Sequence, residues 1–301
     1  MPTVALSLCQ DRFATAIWAG DRVRTLAEVG QALGRPLALS DDGLSDRTIA
    51  RLYLGNEFCE TLLPRPGGLE RALRCADAAG VPVTLLTPML SDEGHDRLRA
   101  LLPRLPEDSE VVANDWGTLA LLRREHPRLR PVIGRLLCKM IKDPRLPSAE
   151  WARLYPHGIF SEPFRRMVEG FGVQRIEIDV PPYVQAEDLR CDGLSLSVHA
   201  PYGFATKGRA CKIGSLGLED GAKFAIGHSC RKECLTHVGV LEREGGAASA
   251  DLRTFQRGTT VFYRHSPAMA QAVRDAAARG WIDRIVLSGD WNEDHGTDQP
   301  H

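Results

Sequence analysis

The sequence predicts a closed (β/α) barrel, and three observations carry the prediction. Nine short apolar or β-branched runs of strand length recur along the 301 residues. Amphipathic segments of helical period separate most of them, and this β-α-β-α order argues for a parallel sheet. No G-x-G-x-x-G turn follows the first strand, so a doubly wound dinucleotide-binding sheet is the weaker arrangement. An α/β barrel of the TIM type, irregular or incomplete, is the stronger.

The strand candidates run in order as VALSL (Val4 to Leu8), RLYLG, VPVTLLTP, EVVAND, PVIGRLL, RIEIDVPP, LSLSVHAPY, TTVFYRH and DRIVLSGD. Nine is one more than such a barrel needs. The helix candidates between them are GGLERALRCADAAG, SDEGHDRLRALLPRL, WGTLALLRREH, SEPFRRMVEGFG and SPAMAQAVRDAAARG, each closing near Gly or Pro. The rhythm breaks at about 202–258, where Gly, Lys and Cys crowd without a period. That stretch reads as an elaborated Cys-containing loop inserted after a late strand, within one domain spanning 1–301. Loops at the C-terminal ends of barrel strands carry the chemistry of such folds.

Composition excludes several classes. Hydrophobic residues at 43% and charged residues at 26% are ordinary for a folded chain. Lys+Arg 38 against Asp+Glu 39 gives a formal charge of -1. The global positive balance that drives nucleic-acid binding is missing, so nucleic acid is not the expected partner. The stretch MPTVALSLCQDRFATAIWAG holds Asp11 and Arg12 and lacks a basic leader, and nothing reaches membrane-spanning length, so a cytoplasmic protein is expected.

Eight cysteines in such a chain point to buried thiols or metal ligands, since cytosolic thiols stay reduced. Cys211, Cys230 and Cys234 form C-x18-C-x3-C within the Gly-rich stretch. Glycine permits the wrapping turns that soft-metal ligation needs, and Arg231 and Lys232 favour thiolate over thiol. Chance clustering and a redox pair are the competing readings. Cys59, a few residues beyond the strand RLYLG, is the fourth ligand of choice, with Cys9 as the other option. Cys75 and Cys191 read as small buried hydrophobes, and Cys138 is undecided. Four thiolates hold either Zn(II) or a [4Fe-4S] cluster. The spacing favours the cluster, because structural zinc sites usually pair two short knuckles. His228 and His237 flank the C-x3-C as secondary ligand candidates.

The segments LYLGNEFC, ANDWG, GRLLCKMIKDPR, LSLSVHAPYGFATKGRAC and the closing C-x3-C together resemble the collagenase-like peptidase family U-thirty-two. The resemblance spans most of the chain and is nearest to the ubiquinone-biosynthesis (UbiV-type) branch. It implies a [4Fe-4S] cluster on Cys59, Cys211, Cys230 and Cys234. It also implies a UbiU-like partner subunit, and an oxygen-independent hydroxylation of a small molecule with prephenate as oxygen donor. The chain departs from the family pattern in the longer Cys211–Cys230 gap, in Cys138, and in TTVFYRHSPA, which lacks the usual Asn-Gly-Ile-Gln turn. No H-E-x-x-H or G-x-S-x-G motif supports peptidase activity, and the RNA-hydroxylating branch groups its cysteines differently.

Other catalytic candidates are polar residues at strand ends. His199 closes LSLSVHA, as a hydrogen-bond donor to substrate or a satisfied core histidine. Asn114 and Asp115 close EVVAND, with Asp115 equally suited to cap the next helix. Glu177 and Asp179 alternate with Ile176 and Ile178, which puts both carboxylates on one strand face, inside the barrel. Arg209 and Lys212 flank Cys211, either to favour its thiolate or to bind an anion, with a solvated loop as the alternative.

Overall fold

Eight of the nine predicted strands close a parallel barrel. A computed structural model describes residues 1–18, 22, 24–34, 37, 44–154, 157–223, 225, 230–241 and 252–289. The first seven strands are β1 (Thr3–Leu8), β2 (Arg51–Gly55), β3 (Val83–Leu86), β4 (Glu110–Ala113), β5 (Arg130–Ile133), β6 (Arg175–Ile178) and β7 (Ser195–Ala200). Four further strands follow: β8 (Tyr202–Lys207), β9 (Gly239–Leu241), β10 (Thr254–Arg257) and β11 (Thr260–Arg264). The last, β12 (Arg284–Ser288), pairs with both β7 and β1 and closes the barrel in the order β1-β12-β7-β6-β5-β4-β3-β2.

The period of two sorts each barrel strand's side chains. Outward residues such as Leu6, Leu52, Leu85, Val111, Ile176, Val198 and Ile285 join the main hydrophobic core. The helices are α1 (Asp11–Ile17), α2 (Leu26–Ala32), α3 (Pro66–Ala78), α4 (Asp92–Leu101), α5 (Trp116–Glu125), α6 (Ala149–Leu154), α7 (Glu162–Glu169) and α8 (Pro267–Ala278), and all but α6 bury residues in that core. Inward residues fill the barrel. Ala5, Tyr53, Leu86, Val112, Val132 and Val286 form an apolar layer contributed by six strands. The other two strands, β6 and β7, bring Glu177 and His199, both buried. Register places His199 beside Val286, which is itself level with Ala5. Polar groups thus enter an otherwise apolar layer from one side.

Two sequence expectations are corrected. TTVFYRH is a strand, β11, but it pairs antiparallel with β8 and β10 and not with the barrel. The stretch at about 202–258 is not loop alone, because β8, β9 and β10 lie within it and form with β11 a four-stranded antiparallel sheet of order β8-β11-β10-β9. A cis Ala200–Pro201 peptide stands between β7 and β8. The small sheet packs on the barrel's C-terminal end through Phe204, Phe255 and Phe262, which cluster with Phe58 and Leu136 from the loops after β2 and β5. Phe58 meets Phe204 and Phe262 edge-on, with ring centroids 5.1 and 5.2 Å apart. No helix among the described residues is long and apolar enough to cross a membrane.

Candidate functional site

The turn after β2 is the pivot of the site. Asn56 Oδ1 accepts hydrogen bonds from the backbone N–H groups of Phe58 (2.8 Å) and Cys59 (2.9 Å), the side-chain turn that Asn favours. Its Nδ2 donates to Cys9 Sγ at 3.2 Å. Gly55 precedes it with φ of 124°, and a Cβ there would collide with the Leu86 carbonyl oxygen. The turn positions Glu57 at the barrel mouth and Cys59 at its rim.

At the mouth, six charged or titratable side chains form one buried network. Arg135, two residues beyond β5, donates Nε and Nη2 to the Glu57 carboxylate and Nη1 to Asp179 Oδ1 at 2.7 Å. Lys142 pairs with the other Asp179 oxygen, while its ammonium lies 3.2 Å from the Phe204 ring centroid. His199 Nε2 is 2.8 Å from Glu177 Oε2, and His199 Nδ1 is 3.9 Å from Glu57 Oε2. Glu57, Arg135, Lys142, Glu177, Asp179 and His199 are all under a tenth exposed.

Burial alone would favour neutral carboxyls at Asp179 and Glu57, and the cations reverse that. Burial opposes charge on Asp179, but Lys142 and then Arg135 outweigh it and hold the carboxyl at about 2. Arg135 and then His199 likewise overcome burial at Glu57 and hold it below the usual carboxylate range. Burial lowers Lys142 below the ordinary lysine range despite Asp179. A cavity of about 50 Å³ opens beside Glu57, Arg135, His199, Ser7 and Ser288. It has room for one or two water-sized groups. A wider cavity of about 770 Å³ lies at the opposite end, against the strand starts at Glu110, Arg130 and Arg175. Chemistry in such barrels sits at the C-terminal ends, and the polar convergence there singles out the smaller cavity.

At the rim, two of the four predicted cysteines share a cluster and the other two lie near them. Cys234 is buried against Leu62 and Ile213, and Cys59 packs on the same small cluster. Cys59, Cys211 and Cys230 each act electrostatically on Cys234, so the four thiols lie within range of one another. Burial first, and then the neighbouring thiols, push Cys234 up to about 12 despite Arg257 nearby. Burial also raises Cys211 and Cys230. Backbone amides approach the sulfurs: Gly214 N–H donates to Cys211 Sγ and Lys232 N–H to Cys230 Sγ, each at 3.2 Å. Lys232 adopts φ of 65° to reach this pose. None of the eight cysteines is in a disulfide.

Other candidates separate. Asp115 caps α5 by accepting from Thr118 N–H at 2.6 Å, so the capping alternative holds. Asn114 is buried and ties Thr87 O to Leu136 N–H, fixing the loop that carries Arg135. Arg209 and Lys212 are exposed, as in the solvated-loop alternative. His237 is exposed and bonds Thr236 and the Glu233 carbonyl, not a thiol. Cys9 stays with Asn56, Cys75 and Cys191 pack at the edge of the core, and Cys138 is buried in it. His228 lies outside the described residues.

Sequence reasoning missed Glu57, Arg135 and Lys142. Glu57 and Arg135 each stand two residues beyond a barrel strand, an offset that marks mouth positions as Asn114, Asp179 and His199 do at closer range. That offset was the available signal.

No family model matches the chain, and no curated protein does. Solved structures that it resembles include the carboxyl transferase domain of Rhizobium etli pyruvate carboxylase with 3-bromopyruvate, at 10% identity and TM-score 0.41, over 96% of this chain and 40% of that one. The same domain with pyruvate gives 12% and 0.41, over 96% and 41%. A multi-modular chitinase, ChiW, from Paenibacillus sp. gives 9% and 0.27, over 95% and 40%. The chain therefore spans about two fifths of the structures it matches. Likeness at this level carries no argument about the site.

Proposed function

We propose that this chain is an iron–sulfur protein of the UbiV-like type, holding a [4Fe-4S] cluster on Cys59, Cys211, Cys230 and Cys234. In this reading it serves, with a UbiU-like partner subunit, in oxygen-independent hydroxylation of a small molecule of the ubiquinone-precursor kind. The observation that supports it most is that Cys59 and Cys234 share one small cluster at the rim of the barrel's C-terminal end, with Cys211 and Cys230 near enough to act electrostatically on Cys234.

The donor set fits the group. Burial and neighbouring thiols oppose ionisation of Cys211, Cys230 and Cys234, and bound metal is what would offset that for a set of thiolates. The N–H groups of Gly214 and Lys232 supply the sulfur hydrogen bonds that stabilise ligating thiolates and tune their potential. When bound, a cluster supplies one-electron transfer.

The remaining work falls to the chain's own side chains. Arg135, held by Glu57 and Asp179, presents a fixed cation at the mouth, and His199 Nε2 shares a hydrogen bond with Glu177 Oε2. The aromatic lid of Phe58, Phe204 and Phe262 excludes water from that network, which strengthens each charge–charge contact within it. The cavity beside His199 accepts the reacting end of a substrate, with prephenate the oxygen donor that the sequence resemblance implies.

Anaerobic purification tests the reading. Wild-type protein is expected to carry about four irons and four sulfides with a broad visible band, as such clusters do, and both Cys59→Ala and Cys230→Ala are expected to lose them. Stoichiometric zinc without sulfide replaces the redox reading with a structural staple for the small sheet.

A further inference from the structure

The mouth network contains an oxygen atom that nothing among the described residues satisfies. Glu177 is fully buried, its Oε2 faces His199 Nε2 at 2.8 Å, and its Oε1 has no hydrogen-bond partner. A buried carboxylate oxygen left bare is costly, and natural cores rarely keep one without a ligand, an ion or an ordered water.

We propose that Glu57, Glu177 and His199 form a divalent-cation site inside the barrel mouth, separate from the four thiols. One ligating atom from each of the three lies within 4.8 Å of the others, and all three residues are buried. They arrive from three places in the fold: the Asn56-held turn after β2, the inward face of β6, and the end of β7. Convergence from separate strands at the C-terminal end is the arrangement by which barrels assemble metal centres.

The pairing at the mouth points the same way. Arg135 and Lys142 hold Glu57 and Asp179, which leaves Glu177 facing His199. That contact falls on Oε2, so a cation reaching Oε1 satisfies the oxygen left bare.

The surroundings suit a ligand set. Arg135 grips Glu57 through Nε and Nη2 and so fixes the carboxylate, the support that metal-ligating side chains commonly receive. The cavity of about 50 Å³ beside Glu57 and His199 also touches Ser7 and Ser288, leaving space for waters or a substrate oxygen to complete the coordination. One imidazole with two carboxylates is a hard, oxygen-rich set, suited to Mn(II) or Fe(II). The thiols at the rim prefer soft metals, so the two sites sort ions by chemistry.

Mn(II) alone is the probe, because thiolates compete for it poorly. Full-length protein titrated with Mn(II) is expected to quench the solution electron paramagnetic resonance spectrum at one ion per chain, with nitrogen modulation from an imidazole ligand. Glu177→Gln is expected to weaken binding at least tenfold, and His199→Gln to remove the nitrogen modulation. Cys230→Ala is expected to bind Mn(II) as the wild type does, so the result is independent of whether the thiols hold a cluster. A spectrum that stays free at millimolar metal overturns the site. So does bound Mn(II) without nitrogen modulation in the wild type, or binding lost in Cys230→Ala, which places the ion on the thiols.

Discussion

Glu57 and Cys59 stand two residues apart on one turn, yet Glu57 pairs with Arg135 inside the barrel mouth while Cys59 packs with Cys234 at the rim. A single side chain, Asn56, holds the backbone between them. The charged network and the thiol set are therefore coupled through two hydrogen bonds.

Replacing Asn56 with Ala removes both acceptor bonds and is expected to cost about 2 kcal/mol of stability, at roughly 1 kcal/mol per bond. It is also expected to lower metal content at the thiols and at the mouth together. Asn56→Asp keeps the acceptor and loses only the contact to Cys9, so it should retain most of the metal. Urea midpoints with parallel metal analysis read both effects, and unchanged metal in Asn56→Ala refutes the coupling.

Gly55→Ala is expected to be worse. The left-handed φ of 124° and the collision with the Leu86 carbonyl act at the same residue. A loss on the order of 2 to 3 kcal/mol follows from strain of this kind. The shift in urea midpoint measures it, and a variant as stable as the wild type shows that the turn tolerates another backbone path.

Asp179→Asn leaves Arg135 and Lys142 sharing one carboxylate fewer in a buried site. Breaking such a pair from one side costs about 3 to 5 kcal/mol. Its pH signature has a definite sign. The folded carboxyl sits near 2, below its unfolded value, so its contribution is complete above about pH 4 and fades as pH falls towards 2. Wild-type stability is expected to drop on the order of 2 kcal/mol more than that of Asp179→Asn across this window. Parallel acid titrations of urea unfolding test this, and identical slopes remove Asp179 from the account.

The exposed basic residues beside Cys211 make a contrasting case. Arg209→Ala and Lys212→Ala are expected to change stability by less than about 0.5 kcal/mol and to leave metal content intact. A marked loss in either restores the role in thiolate ionisation that their sequence positions suggest.

How much of this was legible in the sequence depends on the range of the interaction. The barrel strands were readable because burial on both faces writes a continuous apolar run into a few neighbouring residues, as in VTLL of β3. β11 carries the same kind of run, but the run does not say whether a strand's partners are parallel or antiparallel. β8 and β10 were missed because alternation is interrupted there by Gly203, and by Gln256 and Arg257, which are buried through hydrogen bonds and not through apolarity. Glu177 and His199 were visible as polar interruptions of strands. Glu57, Arg135 and Lys142 were not, since their partners are 78, 44 and 37 positions away and no local pattern encodes a pair at that distance. The cysteine set stood out because three of its members share one short stretch.

The pairing of β1 with β2 and of β7 with β12 also bears on the order of events during synthesis. Cys59 emerges with the second strand, and Cys211 follows roughly 150 residues later, an interval on the order of ten to thirty seconds at ordinary translation rates. For that time Cys59 stands on a half-built barrel without the other three cysteines of its set. The full set of donors exists only once the stretch beyond β7 has folded back over the second strand's turn. The proposed cluster would therefore be delivered late, to a nearly finished protein.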